Sequence, residues 1–244
     1  MITISIVSHG QFTLLANTLK KLIKVKEVKK IIITINIPEK IVFLKNRKVY
    51  FIKNLKPKGF GENHNNAFKF CNTNYFCVMN PDIEINKNPF QKLLNFINDK
   101  TPLVSPLIVD SKLRIEDNAR YFPTPIFILK KLFFNQKGMY EIENLYSNKT
   151  IYPDWVAGMF MVFTKKIFKK LNGFDQNYFL YYEDVDICFR LKKLKKRILV
   201  LRDIKVIHNA RRSSRKNLKF FLIHLWSMII FFYKCLGRFP KNEK

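Results

Sequence analysis

Short apolar runs rich in β-branched residues alternate with amphipathic stretches through the first third of the chain. Residues 2–7 have the pattern of a buried strand, and the run stops at Ser8-His9-Gly10. Leu15, Leu19, Leu22 and Ile23 then recur at helical spacing. Runs at 31–35 and 49–52 predict further strands, the first of them ending at Asn36. Residues 61–71 open on glycine and predict a helix, and 75–79 predict a strand ending at Asn80-Pro81-Asp82. Strands and helices alternating at this spacing predict an α/β fold built on an open, mostly parallel sheet. Ligands of such sheets sit beyond the carboxyl ends of the strands. Three strand ends carry polar residues (Ser8-His9, Asn36, Asn80-Pro81-Asp82), so they mark a candidate site.

Periodicity fades over 110–150, which reads as an acceptor-side loop region with a helix near 126–134. It returns at Trp155, with an apolar stretch at 155–164 broken by Gly158 and a short basic helix to Leu171. The turn Asn172-Gly173-Phe174-Asp175, an aromatic run at 178–182 and the acidic group Glu183-Asp184-Val185-Asp186 follow. A basic helix to about Lys196 and short strands at 198–201 and 205–207 complete the pattern, His208 ending the second. No repeat or low-complexity linker interrupts it, so one domain is expected over 1–215, with a tail at 216–244. In the tail, 220–233 are largely apolar and too short to span a bilayer. Wound at 3.6 residues per turn, Asn217, His224, Ser227 and Lys234 fall in one stripe. An amphipathic helix on an anionic membrane surface is the expectation, with packing on the core or on a homodimer partner as the alternative.

Composition narrows the partners. With 45 Lys and Arg against 18 Asp and Glu, the net charge of +27 points to something anionic: nucleic acid, anionic lipid or a phosphorylated glycolipid. No zinc spacing, helix-turn-helix pattern or RNA-binding aromatic signature is present, so nucleic acid is not expected. At 48% hydrophobic, the chain can bury a sizeable core, and global disorder is excluded. Cys71, Cys77, Cys188 and Cys235 lack metal-type spacing and read as reduced thiols of a cytosolic protein. No leader-like segment precedes the first strand, so a cytoplasmic protein, peripheral on the inner face of a bacterial membrane, is expected.

Each chemical motif also has a structural reading. Asp82, at a strand end, can hold Mg²⁺ or Mn²⁺ against a diphosphate, and Asn-Pro-Asp also suits a type I turn. Gly59-Phe60-Gly61 with Asn63 and Asn66 can bring phosphate to a helix N-terminus, or form a plain turn. Glu183, Asp184 and Asp186 can supply a general base, or complement a helix dipole. If Glu183 begins a helix, Asp186 and Arg190 share its face, which leaves Asp184 free for an acceptor hydroxyl. A histidine at a strand end such as His208 is more often structural than ligating.

Taken in order, these residues carry a resemblance. Ile4-Ser5-Ile6-Val7-Ser8-His9, Gly59-Phe60-Gly61 with Asn63 and Asn66, Asn80-Pro81-Asp82, Trp155-Val156-Ala157-Gly158 and Gly173-Phe174-Asp175 through Tyr182-Glu183-Asp184-Val185-Asp186 to Arg190 resemble family-2 glycosyltransferases. The similarity covers roughly residues 2–215 and is greatest to the rhamnosyltransferase-like branch of bacterial polysaccharide assembly. It implies a Rossmann-like glycosyltransferase A fold and an inverting transfer from a dTDP- or UDP-sugar to a lipid-linked, lipopolysaccharide or capsule saccharide. It also implies that Ser8, His9 and Asn36 line the nucleoside pocket, with Gly61, Asn63, Asn66 and Asn80 near ribose and diphosphate. Asp82 and His208 would then hold Mg²⁺ or Mn²⁺, Trp155 and Gly158 shape the sugar side, and Asp184, with Glu183 beside it, be the base. Two positions depart from the family pattern: Asn80 replaces the first acid of the metal motif, and Asn36 replaces the usual acid after the second strand. A basic nucleic-acid-binding protein and an inactive family-like scaffold are the alternatives.

Overall fold

The apolar runs pair with one another as alternation predicts, and their even and odd residues feed opposite faces of one sheet. The computed structural model describes residues 1–42, 45–124, 149–209 and 218–235. The helix expected near 126–134 lies outside these residues, as do Arg211, Arg212, Arg215 and Lys216. Strand β1 (Ile2–Ser8) lies between β2 (Val28–Ile35) and β4 (Tyr75–Met79), parallel to both, and β3 (Val49–Lys53) adds to β2. Beyond β4 come β10 (Phe160–Thr164), β6 (Leu103–Val109), β11 (Ile198–His208) and the two-residue β5 (Ile83–Glu84), while β8 (Thr150–Ile151) pairs with β11. β10 runs against β4 and β6, and β5 and β8 run against β11. The other six strands share one direction, so their carboxyl ends lie along one edge.

Helix α1 (Phe12–Leu22) connects β1 to β2, α2 (Phe60–Phe68) connects β3 to β4, and α3 (Phe90–Phe96) connects β5 to β6. On one face of the sheet Ile4 and Ile6 pack with Leu15, Leu19, Phe90 and Phe160. On the other, Phe76 and Phe163 pack with Phe168, Phe174, Tyr178 and Phe189. Burial of these side chains at roughly 25 cal/mol per Å² of apolar area is the main force holding the layers together. Short α4 (Lys165–Lys170) is capped at its start by Thr164 Oγ1, which accepts the Ile167 N–H at 3.2 Å.

The structure departs from the sequence expectations in three places. The strands expected at 198–201 and 205–207 are one strand, β11, whose pairing with β6 slips between Leu201 and Lys205; a bulge breaks the alternation without ending the strand. The region expected to be loop holds β7 (Ala119–Arg120), which pairs with β9 (Trp155–Val156) as a second, two-stranded sheet. A two-residue pair leaves no period to read.

The third departure is the tail. Helix α6 is Leu218–Cys235, 18 residues, long and apolar enough by length and composition to cross a membrane. Three residues of its polar stripe touch the rest of the protein, with His224 still exposed. Ser227 is buried and donates to Leu180 O at 2.9 Å, His224 lies against Tyr181 and Tyr182, and Lys234 pairs with Asp175. The apolar face points outward, with Phe221 62%, Trp226 63% and Tyr233 77% exposed.

Candidate active site

The parallel strands deliver the motif residues to one edge. Register pairs Ser8 with Ile35 and Ile6 with Met79, so the segments after β1, β2 and β4 are neighbours. Antiparallel β10 begins where β4 ends: Asn80 N–H donates to Met159 O at 2.9 Å, which sets Gly158 beside the Asn80-Pro81-Asp82 turn. Strand β11 ends at the same edge, and its pairing with β5 puts His208 opposite Ile83, next to Asp82.

On the nucleoside side, amides spend their bonds on shaping a loop. Asn36 Oδ1 accepts from Lys58 N–H at 2.9 Å and from Asn54 Nδ2 at 2.8 Å, and its Nδ2 donates to Lys58 O and approaches His9 Nδ1 at 3.2 Å. Asn54 also donates to Asn63 Oδ1 at 2.7 Å, while Asn63 donates to Lys58 O and Gly59 O. Asn63 is fully buried, so it fixes the loop from within. Ser8 Oγ, also buried, accepts from Gln11 N–H, and exposed His9 lies beside Asn36. Asn66 accepts from Lys69 on the exposed side of α2, apart from Asn63. The motif glycines approach protein: a Cβ on Gly61 would stand 2.7 Å from Phe174 Cβ, and one on Gly158 would stand 3.1 Å from the Phe60 ring. Helix α2 is thereby seated on the Gly173-Phe174-Asp175 turn.

Helix α5 (Glu183–Lys193) carries the acidic group. It is entered through Tyr181 and Tyr182, both with left-handed backbone, φ 69° and 66°. Such a conformation costs on the order of 1 kcal/mol per residue and persists where the surroundings hold it. Here His224 and Phe231 of α6 pack on the rings. The expected sharing of Arg190 is only half observed. Asp186 Oδ2 accepts from Arg190 Nε at 2.7 Å, and the guanidinium also reaches Leu171 O and Gly173 O. Glu183 is instead buried against Asp184, its Oε2 without a hydrogen-bond partner. Nor is Asp184 free of bonds: Oδ2 accepts from Gly158 N–H at 2.9 Å and Oδ1 from Val185 N–H at 2.8 Å. These bonds orient the carboxylate and leave lone pairs on both oxygens. Burial raises Asp184 above the ordinary carboxylate range, against the Gly158 and Val185 bonds and the charge of Arg120. Burial, and then the Asp184 charge, raise Glu183 well above its usual value.

Across the Asn80–Met159 link, acids flank an imidazole. His208 Nε2 lies 3.3 Å from Asp82 Oδ2, and its Nδ1 lies 2.6 Å from Glu116 Oε2. Burial lowers the imidazole pKa, and the bonds to Asp82 and Glu116 outweigh that, so the net shift is upward. Asp82 Oδ1 is buried, with no hydrogen-bond partner among the described residues. An orphaned hard oxygen beside an imidazole nitrogen fits a divalent cation. Among the described residues no three His, Cys, Asp or Glu groups converge on one point. Asp82 and His208 are thus the two side chains that could hold a divalent cation, with phosphate oxygens of a nucleotide to complete its shell. Glu84, two residues on, pairs with Lys21 at 3.1 Å.

Three residues of the site escaped the sequence reading. Glu116 and Arg120 lie in the weakly periodic region, and Asn54 is a lone amide after β3. Arg120 binds Asp117, stacks on the Trp155 ring at 4.7 Å, and places positive charge near Asp184. The Trp155 indole N–H is held by Tyr121 O at 2.9 Å.

Comparison with known proteins adds the family. Residues 3–171 match Glycosyl transferase family 2. Over 168 residues the chain is 30% identical to the rhamnosyltransferase WbbL of Escherichia coli, which covers 64% of this chain and 63% of that protein. It is 24% identical over 157 residues to the N-acetylglucosaminyl-diphospho-decaprenol L-rhamnosyltransferase of Mycobacterium tuberculosis, 57% of this chain and 48% of that one. The chain thus spans less than two thirds of the length of these relatives. The mannosyltransferase of Pyrobaculum calidifontis, solved with GDP-Man and Mn²⁺, shares the fold at a TM-score of 0.62 and 9% identity, covering 98% of this chain and 65% of that one. Since the family match covers more than half of the sequence, and a glycosyltransferase fold extends over nearly all of it, this chain belongs to glycosyl transferase family 2.

Proposed function

We propose that the chain transfers a sugar, rhamnose by the names of its relatives, from a dTDP- or UDP-linked donor to a lipid-linked or envelope saccharide, inverting the anomeric centre. One observation carries this reading. A buried carboxylate oriented by two backbone N–H groups, Asp184, stands one backbone hydrogen bond away from an edge where Asp82 and His208 can meet a diphosphate. Asp184 takes the proton of the acceptor hydroxyl. The hydroxyl oxygen then bonds to the anomeric carbon from the face opposite the diphosphate, and the bond to the diphosphate oxygen breaks, its electron pair leaving with the nucleoside diphosphate. Gly158 and Val185 aim the carboxylate, and the loop held by Asn36, Asn54 and Asn63 walls the nucleoside side. A divalent cation held by Asp82 and His208 would supply positive charge for the leaving diphosphate. The acceptor class is supported by the mycobacterial relative, whose name specifies a saccharide on a lipid diphosphate. The test is transfer from dTDP- and UDP-sugars to a polyprenyl-diphosphate saccharide, with the product's anomeric configuration read by NMR. Retention of configuration, or no transfer from either donor, overturns the proposal.

The same reading assigns catalysis to residues 1–215 and places the protein on the inner leaflet of the cytoplasmic membrane through the tail at 216–244. Helix α6 is tied to the catalytic part by Ser227, Lys234 and Phe231, so crossing the bilayer would strip those contacts. Its outward face, Phe221, Leu222, Trp226, Ile229 and Tyr233, can bury in the interface while the chain's net charge of +27 meets anionic headgroups. Phe221→Ser with Trp226→Ser is expected to abolish sedimentation with phosphatidylglycerol vesicles and to leave nucleoside diphosphate affinity unchanged. Unchanged sedimentation would reject α6 as the membrane contact.

A further inference from the structure

Glu116 belongs to none of the sequence motifs, yet it touches the imidazole on which the cation side of the candidate site depends. It arrives there through a tight hairpin after β6: Leu113 N–H donates to Asp110 O, and Glu116 N–H donates to Ile108 O at 2.9 Å. Its side chain is 17% exposed and that of His208 12%. At 2.6 Å from Nδ1, an ionised carboxylate accepts, so the ring donates from Nδ1. The opposite ring nitrogen, Nε2, then faces Asp82 Oδ2 at 3.3 Å. Among the described residues Asp82 Oδ1 has no hydrogen-bond partner, and the Asp82 carboxylate is contacted from the side of His208. Glu116, His208 and Asp82 form one chain of contacts, though 34 and 92 residues of sequence separate Glu116 from the other two.

We propose that Glu116 is a positioning residue for the cation site. By holding the proton on Nδ1 of His208, it keeps the Nε2 lone pair directed at the space beside Asp82. A neutral imidazole ligates through the nitrogen that bears no proton, and the hydrogen bond made by the other nitrogen decides which one that is. Removal of Glu116 lets the ring turn about its Cβ–Cγ bond and lets the proton move to Nε2, the atom that must be bare. The inference rests on the metal-assisted transfer proposed above.

Binding of Mn²⁺ in the presence of UDP, and separately dTDP, followed by the electron paramagnetic resonance of free Mn²⁺, tests it without catalysis. Glu116→Ala is expected to weaken Mn²⁺ binding about 10- to 100-fold, the usual loss when an outer carboxylate is removed. Glu116→Gln keeps an oxygen that accepts from Nδ1 and is expected to fall between wild type and Glu116→Ala. The chain has four histidines, so ¹H–¹⁵N spectra of histidine-labelled protein with Mg²⁺ and UDP can resolve the His208 ring. They should show the Nδ1–H tautomer in wild type and a shift toward Nε2–H in Glu116→Ala. Melting temperatures close to wild type show that the fold is kept, and if Glu116→Ala does not fold, Glu116→Gln carries the test. Unchanged affinity and tautomer in the folded variant, with Mn²⁺ binding lost in Asp82→Ala, overturn the role of Glu116 and leave the metal reading standing. No Mn²⁺ binding by wild type overturns both.

Discussion

The two acidic groups of the candidate site hold their carboxyls in opposite ways. At one end Asp82 and Glu116 flank a single imidazole, 3.3 Å and 2.6 Å away, so that two carboxyl groups share one ring. At the other, Glu183 and Asp184 are adjacent in sequence and buried together; Asp184 is oriented by two backbone N–H groups, and Glu183 keeps one oxygen bare. Both ends are withdrawn from water: burial is the largest single influence on Glu183, Asp184 and His208, and at His208 the bonds to Asp82 and Glu116 together outweigh it. What differs is compensation. Under the transfer proposed above, the first arrangement suits a cation and a diphosphate, whereas the crowded one holds a proton more tightly and suits proton transfer. The fold separates these two tasks by little more than the β4–β10 junction.

The comparison can be broken at either end. The largest effect is expected at Asp184: Asp184→Asn keeps the shape, removes the base, and should lower transfer by about 10²- to 10⁴-fold while donor binding persists. Transfer near the wild-type rate in that variant would mean that the crowded end is not the base. Next is Asp82→Ala, for which the gain in nucleoside diphosphate affinity on adding Mg²⁺ or Mn²⁺ should disappear, a loss of about tenfold or more, while melting is little changed. Asn80→Asp should leave that gain intact or enlarge it. Equal affinity with and without chelator in wild type would remove the cation from the picture.

The smallest effect sharpens the contrast. Glu183 binds its proton more tightly folded than unfolded, so above its ordinary value of 4.5 the folded state holds more protons than the unfolded one, and stability falls as pH rises. Glu183→Gln should therefore melt higher than wild type at about pH 8, by roughly 2–4 °C for each ~1 kcal/mol recovered, and its melting temperature should fall less steeply with pH. His64, buried and lowered from 6.5 to about 3, acts with the opposite sign below 6.5 and cancels in the difference between the two proteins. The rate loss of Glu183→Gln should be smaller than that of Asp184→Asn. A variant that melts lower than wild type at pH 8 would show that Glu183 is ionised and bonded.

Much of the sheet was legible because β1, β2 and β4 are buried on both faces, and continuous β-branched runs have few other uses. The candidate residues at the ends of those strands were legible for the same reason: the end of a buried run is where polar residues must begin. Trp155, Gly158, Asp184 and Asp82 were identified one by one, and the structure gathers them at one edge. Glu116 and Arg120 were not legible. Each is an ordinary charged residue in a weakly periodic stretch, and its meaning lies in what stands opposite it after pairing of β6 with β11 and of β7 with β9. The pairing expected between Glu183 and Arg190 is not formed: Asp186, four residues before Arg190 on the same helix, and two carbonyls that helical spacing does not contain take the guanidinium.

The tail shows most plainly where local pattern stops. Its composition and period determined an apolar helix with one polar stripe, because side chains three and four apart share a face whatever surrounds them. Which side meets water could not follow from the helix alone. Leu180 O offers an acceptor to Ser227, Asp175 a charge to Lys234, and Tyr181 and Tyr182 two rings to His224, so these three polar residues lie against the protein and the apolar face turns outward. Strand order, the junction of β4 with β10, and the opposite states of the two acidic ends were decided in the same way. Hydrogen bonds and desolvation depend on neighbours brought from elsewhere in the chain, while periodicity depends only on residues next to one another.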